Sequence, residues 1–283
     1  MTAPILRTLS ELRAKTQAWR RAGRTIGVVP TMGALHQGHL SLAQAARADC
    51  DRVIVTIFVN PKQFNNPEDL AKYPRTEQDD AAKLAPLEVD AIYVPDPDQI
   101  YPDGFATTVS VAGLTDVMEG EFRPGHFDGV ATVVAKLFLQ TQADRAYFGE
   151  KDYQQLMVVR RMARDLDIPI EVIGCPTVRE PSGLAMSSRN LRLSDQGLAT
   201  GARMQAVMQD MAGQLAQGAA FADLVGPARD TLLTAGFSEV EYIDLRCAET
   251  LAPLAAATRP ARLFATAWLE GVRLIDNIDV PTA

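Results

Sequence analysis

Thr25-Ile26-Gly27-Val28-Val29-Pro30-Thr31-Met32-Gly33-Ala34-Leu35-His36-Gln37-Gly38-His39 is the stretch that decides the fold. Its β-branched opening, residues 25–30, predicts a strand, and Gly33 predicts a turn. The Leu- and Ala-rich residues 39–49 predict a helix. A second β-branched run, residues 52–59, follows at once. Strand, helix and strand in this order predict a right-handed crossover between parallel strands. Working outward, strands are expected at 91–94, 145–148 and 170–174, with helices at 129–141 and 153–166. Five such strands predict an α/β fold with a Rossmann-like doubly wound parallel sheet.

Beyond residue 174 the texture changes. Pro176, Pro181, Ser182 and Gly183 fall close together and read as a hinge loop. A boundary at 177 gives a domain of residues 1–177 and a smaller α+β domain of residues 178–283. Helices are expected in the latter at 194–215 and 221–235, then strands at 240–245, 262–268 and 272–275. Residues 5–24 carry spaced apolar positions among Arg, Lys and Glu, which predicts an amphipathic surface helix and not a signal peptide.

Composition limits what the molecule can do. With 283 residues, 47% of them apolar, it can bury a sizeable core. Its 28 basic residues against 35 acidic ones leave a net charge of −7, which disfavours nucleic acid or an acidic membrane as partner. An anion therefore needs a local pocket. Cys50, Cys175 and Cys247 are widely spaced, which argues against a disulfide framework or a zinc site and fits a reducing cytoplasm. No apolar run is long enough to span a bilayer.

The turn from Met32 to His39 is where an α/β fold receives phosphate. Amides at a helix start lack helical partners and the helix dipole is positive there. Gly33 and Gly38 have P-loop spacing, but His39 and Leu40 stand where Lys and Ser or Thr are required, so a Walker site is rejected. His36 and His39, three apart, place two imidazoles on one side of a helical turn, with Gly38 leaving room beside them. The plainer alternative is that both cap the helix.

Four other segments carry chemistry. Gly149-Glu150-Lys151-Asp152 follows an expected strand, so Lys151 can neutralise phosphate and Asp152 can accept ribose hydroxyls. Met186-Ser187-Ser188-Arg189 offers two hydroxyls and a guanidinium suited to phosphates, or else an N-cap. Gln63, just past a strand end, can hydrogen-bond a hydroxy acid. Arg123 and His126, in Arg123-Pro124-Gly125-His126, line a ligand, support a subunit contact or form a structural turn.

In combination these motifs resemble the pantothenate synthetase family across nearly the whole chain. Five segments agree in order: Pro30-Thr31-Met32-Gly33 with His36-Gln37-Gly38-His39, Phe58-Val59-Asn60-Pro61 with Gln63-Phe64, Tyr73-Pro74-Arg75-Thr76, Phe148-Gly149-Glu150-Lys151-Asp152 with Gln154-Gln155, and Met186-Ser187-Ser188-Arg189-Asn190. Lys62 stands where the family often has Met. The resemblance implies condensation of pantoate with β-alanine at the expense of ATP, in a nucleotidyltransferase-like domain with the C-terminal domain as a lid. It implies that ATP contacts Met32, Gly33, Ala34, Leu35, His36, Gln37, Gly38, His39, Gly149, Glu150, Lys151, Asp152, Val178, Met186, Ser187, Ser188 and Arg189. Gln63 and Gln155 are then expected to hold pantoate, and His39 to act as proton donor, with His36, Lys151 and Arg189 beside it in the catalytic group. Mg²⁺ and a homodimer are implied as well, and Asp79 and Asp80 are the candidates for touching the metal. The rival readings are a nucleotidyltransferase joining ATP to a phosphorylated metabolite and a non-catalytic ATP-binding module. A transfer-RNA synthetase is disfavoured by the lack of a basic RNA-binding domain.

Overall fold

The structure, a computed structural model, describes residues 2–282. Two units emerge. The first takes in the residues up to Glu150 together with Gln154–Pro176, and the second takes Lys151–Tyr153 with the chain from Thr177 onward.

In the first unit the described residues form a parallel sheet of six strands, in the order β1-β4-β3-β2-β5-β6. The strands are β1 (Ile5–Leu6), β2 (Ile26–Thr31), β3 (Arg52–Ile57), β4 (Ala91–Tyr93), β5 (Arg145–Gly149) and β6 (Glu171–Cys175). The chain winds outward from β2 through β3 to β4, then crosses back to place β5 on the other side of β2. Ligands bind α/β sheets at such a reversal, outside the carboxyl ends of the strands. The central strand β2 is buried along nearly its whole length. That is why it reads as a continuous apolar run and not an alternating one.

Helices α1 (Leu9–Arg21), α2 (Gln37–Asp49), α7 (His126–Thr141) and α8 (Tyr153–Asp165) are the long ones of this part of the chain. Between them lie the short α3 (Pro67–Lys72), α4 (Glu77–Leu84), α5 (Pro97–Ile100) and α6 (Glu119–Phe122). Leu42, Ala43 and Ala46 of α2 pack into one apolar cluster with Val29, Val53, Val55 and Tyr147 of the strands. Each large apolar side chain so buried contributes roughly 1.5–3 kcal/mol, and this seats the start of α2 over the end of β2.

Two expectations need correction. The sheet has six strands among the described residues, not five, because Ile5 and Leu6 pair with Ile92 and Tyr93 at an edge. For the same reason residues 5–24 are not one helix. Thr8 caps α1 in a reciprocal box with Glu11, and this fixes the helix start after the strand.

The second unit has an antiparallel sheet in the order β7-β8-β9, made of β7 (Glu239–Cys247), β8 (Ala261–Leu269) and β9 (Val272–Val280). Helices α9 (Asp195–Ala216) and α10 (Phe221–Ala235) pack against it. Along β8, Ala261, Leu263, Ala265, Ala267 and Leu269 join the helices in one core, as the two-residue period of a strand requires. The intervening Arg262 and Trp268 bond to polar partners instead. Arg262 donates to Asn277 and Asp279, while Trp268 and Arg273 both donate to Glu241.

Candidate functional site

The carboxyl end of β2 delivers Met32, and the chain then turns through two left-handed residues, Gly33 at φ +86° and Ala34 at φ +50°. Glycine tolerates this conformation, whereas in alanine it costs roughly 1–2 kcal/mol of backbone strain. Asp80, at the end of the first turn of α4 and fully buried, holds the turn in place. Its carboxylate accepts from the amides of Ala34 at 2.9 Å and Leu35 at 2.7 Å, and from the Thr76 hydroxyl at 3.1 Å. Lys83, one turn on, donates to the Leu35 carbonyl at 2.8 Å.

The two imidazoles cap α2. The amide of Gly38 donates to Nδ1 of His36 at 3.1 Å, and the amide of His36 donates to Nδ1 of His39 at 3.3 Å. An Nδ1 that accepts a hydrogen bond carries no proton, so in the neutral rings the hydrogen sits on Nε2. The ring centroids are 4.1 Å apart. A Cβ on residue 38 would lie 2.9 Å from His36 Cε1, which is the reason for glycine there.

The expectation of an open cradle of amides is therefore corrected. From Gly33 to Leu40, the amides of Gly33, Ala34, Leu35, His36, Gly38, His39 and Leu40 all donate within the protein. Capping and ligand binding are not alternatives at this helix start. The caps occupy Nδ1 and place the hydrogens of both neutral rings on Nε2, at the positive end of the helix dipole.

Gln63 lies beside this turn. It ends a single 3-10 turn, Pro61–Gln63, capped by Asn60. The buried side-chain amide donates to the Met32 sulfur at 3.0 Å and accepts from Asn60 Nδ2 at 3.0 Å. Asn60 also donates to the Gly129 carbonyl and accepts from Tyr101. The structure thus joins the residue expected to hold the acid to the loop expected to hold the nucleotide. Gln155 is half-buried on α8, next to the buried Gln154, which binds backbone at Leu114, Val117 and Glu119. Gly149 ends β5, paired with Cys175, and Glu150 follows it.

In the second unit, Val178 and Met186 face each other across a small hairpin, with the Met186 amide donating to the Val178 carbonyl at 3.0 Å. Ser187 caps the short 3-10 helix Ser188–Arg192 through a bond from the Arg189 amide. Lys151, Ser187, Arg189 and Asn190 line one cavity with Arg273 and Asp276. Lys151 is fixed from behind by Asn277, whose side chain donates to the Lys151 carbonyl at 2.8 Å. Asp152, half-exposed, approaches Lys151 Nζ at 3.8 Å.

The two acids expected to touch a metal differ in setting. Asp80 has no exposed surface and its oxygens are committed to the turn, so it is a structural clasp. Asp79 is exposed on α4. Among the described residues no group of three or more His, Cys, Asp or Glu could hold a metal ion. A Mg²⁺ carried on the phosphates would keep most of its waters and need few protein ligands.

Asn60, Asp80, Gln154 and Asn277 were not singled out from the sequence for the tasks they perform. Asp80 was named only as a candidate for touching a metal, and all four bind backbone far away in the chain, which no local pattern reveals. Among the described residues no helix is long and apolar enough to cross a membrane.

A doubly wound parallel sheet with a histidine-capped helix start at the strand reversal defines a Rossmann-like α/β protein with its candidate site at the carboxyl edge. Comparison with known proteins makes the class specific. The pantoate-beta-alanine ligase family matches residues 4–279, so the chain belongs to that family and is an enzyme of it. A pantothenate synthetase from Ruegeria pomeroyi is 72% identical over 280 residues, which is 99% of this chain and 98% of that one. Among solved structures, a pantoate-beta-alanine ligase (pantothenate synthetase) from Thermus thermophilus is 45% identical, with TM-score 0.92, covering 98% of this chain and 99% of that one. A pantoate-beta-alanine ligase from Francisella tularensis, in complex with beta-gamma ATP and beta-alanine, is 35% identical with TM-score 0.84 over 99% of each chain.

Proposed function

We propose that the chain condenses pantoate with β-alanine in two steps driven by ATP. In the first, a pantoate carboxylate oxygen attacks the α-phosphorus, the bond to the β-phosphate oxygen breaks, and pyrophosphate leaves. In the second, the neutral amine of β-alanine attacks the acyl carbon of the pantoyl-adenylate, the acyl–oxygen bond breaks, AMP leaves, and the ammonium formed loses a proton. The observation that carries this reading is the bond from Gln63 to Met32, which sets an acid-binding amide against the histidine-capped turn.

The chain's own contribution is positioning and fixed charge. His36 and His39 present Nε2 hydrogens to developing phosphoryl charge without reorganising, because their Nδ1 atoms are already bound. Lys151 and Arg189, with Ser187 and Ser188, are charged and hydroxyl donors suited to phosphate oxygens. Gln63 and Gln155 orient the acid, since holding reactants in line is the other large source of rate. Gly149, Glu150 and Asp152, Val178 and Met186 complete the nucleotide contacts. Magnesium, when present, accompanies the phosphates and screens their charge. The protein acts as a homodimer in the cytoplasm on this reading. Pyrophosphate exchange into ATP tests it: exchange should require pantoate and proceed without β-alanine. Exchange indifferent to pantoate contradicts the proposal.

A further inference from the structure

Behind Gln63 lies a buried polar cluster to which the proposed chemistry gives no task. Gln63 presents its side chain toward Met32, while its backbone carbonyl points the other way, into the residues around the start of α7. There it accepts from His126 Nδ1 at 2.8 Å and from Arg123 Nη2 at 3.2 Å. The second nitrogen of His126, Nε2, lies 3.3 Å from Arg123 Nη1, and that same Nη1 donates to Glu119 Oε1 at 2.5 Å. His126 and Glu119 are both buried.

The chemistry of the partners fixes the proton. A guanidinium N–H only donates, so Nε2 of His126 must accept. The hydrogen of the ring then sits on Nδ1 and is donated to the Gln63 carbonyl, which only accepts. One tautomer of the neutral imidazole satisfies both neighbours, and the Arg123–Glu119 pair selects it.

The backbone makes the same clamp from a second direction. A Cβ on Gly129 would lie 2.3 Å from the Lys62 carbonyl oxygen and 2.8 Å from the Gln63 amide nitrogen, so α7 rests directly on the peptide that leads into Gln63. Asn60 Nδ2 closes the arrangement by donating both to the Gly129 carbonyl and to the Gln63 side chain. Main chain and side chain of Gln63 are thus held from opposite ends.

We propose that His126 and Arg123 are positioning residues for the acid substrate: the imidazole, oriented by the Arg123–Glu119 pair, sets the Gln63 backbone and thereby the amide that holds the hydroxy acid. This rests on the reading of Gln63 as a pantoate contact. Neither residue touches the substrate on this account.

The test exploits the different reach of two amides. Asparagine can place its N–H where Nδ1–H of histidine stands, and glutamine, one carbon longer, cannot. Steady-state kinetics of the full chain with ATP, β-alanine and pantoate should show that H126A raises KM for pantoate about tenfold or more, the cost of one well-placed hydrogen bond. KM for ATP should stay within about twofold, because the turn at Met32 to His39 is clasped independently by Asp80. H126N should recover most of the loss and H126Q should not. If H126A does not fold, R123K supplies the same readout, since one ammonium cannot serve carbonyl, imidazole and carboxylate in that planar geometry.

An unchanged KM for pantoate in H126A, or in R123K if that variant is the one read, overturns the inference. So does an equal rise in both KM values, or an H126N no better than H126Q. Wild-type enzyme that ignores pantoate instead overturns the functional reading and this assignment with it, so the two failures are told apart by the first measurement.

Discussion

Replacing Asp80 by asparagine keeps the shape of the clasp and removes its charge. The carboxylate accepts two backbone amides and one hydroxyl in a site with no exposed surface. Asparagine has one acceptor oxygen, so whichever way it turns, its NH2 faces an amide N–H of Ala34 or Leu35. A hydrogen bond to a charged group contributes about 1.5–3 kcal/mol, and an orphaned buried donor costs about 1–3 kcal/mol. Relief from burying the carboxylate charge offsets part of this. A net loss of roughly 2–4 kcal/mol follows, or a fall in melting midpoint of about 5–12 °C for a unit of this size. Adding Ala34→Gly should return about 1 kcal/mol by relaxing the left-handed residue at φ +50°. Calorimetric melting of D80N and of D80N/A34G gives both numbers, and a D80N that melts with wild type would refute the clasp.

Three further outcomes follow from the same geometry. Gly38→Ala drives a methyl to 2.9 Å from His36, so it should cost little stability but reduce pyrophosphate exchange at least tenfold, with melting and exchange read side by side. His39→Ala removes a cap, costing about 1 kcal/mol in a denaturant titration, and should lower the adenylation rate roughly 10²–10³-fold. Glu270, bonded to the hydroxyl and amide of Ser194 at the start of α9, has its carboxyl held below the ordinary value of 4.5, the hydroxyl bond being the larger cause. A folded pKa below the unfolded one means stabilisation that is full above pH 4.5 and is lost as the pH falls through the folded value. Glu270→Gln should therefore flatten the acid limb of the stability profile followed by circular dichroism, and an unchanged limb would count against the bond.

Much of the fold was legible because its signals are local and long. The β-branched runs around the first crossover helix fall at β2 and β3, and the switch from alternating strands and helices to a helix pair followed by strands marks the second unit. Ile5 and Leu6 were hidden because a two-residue edge strand carries no periodicity of its own, and the Thr8–Glu11 cap that ends it looks like more of the same helix. At the site, the paired histidines stood out by spacing and capping was legible as one reading of them, but that both caps run through Nδ1 and coexist with a ligand-facing role was not. Asp80 was visible as an acid near a motif. That it faces amides 45 and 46 residues earlier in the chain is a tertiary fact no window of sequence contains. Arg123 and His126 were legible as residue types and illegible as a clamp, because their acceptor is a backbone carbonyl some 60 residues away.

The claim on which the functional account rests is that the pantoate carboxylate attacks the α-phosphorus. Pantoate labelled with ¹⁸O in its carboxylate, turned over with ATP and β-alanine and followed by mass spectrometry of the nucleotide, tests it directly. One labelled oxygen should appear in AMP for each pantothenate formed. Label appearing in phosphate or pyrophosphate, with AMP unlabelled, would contradict it.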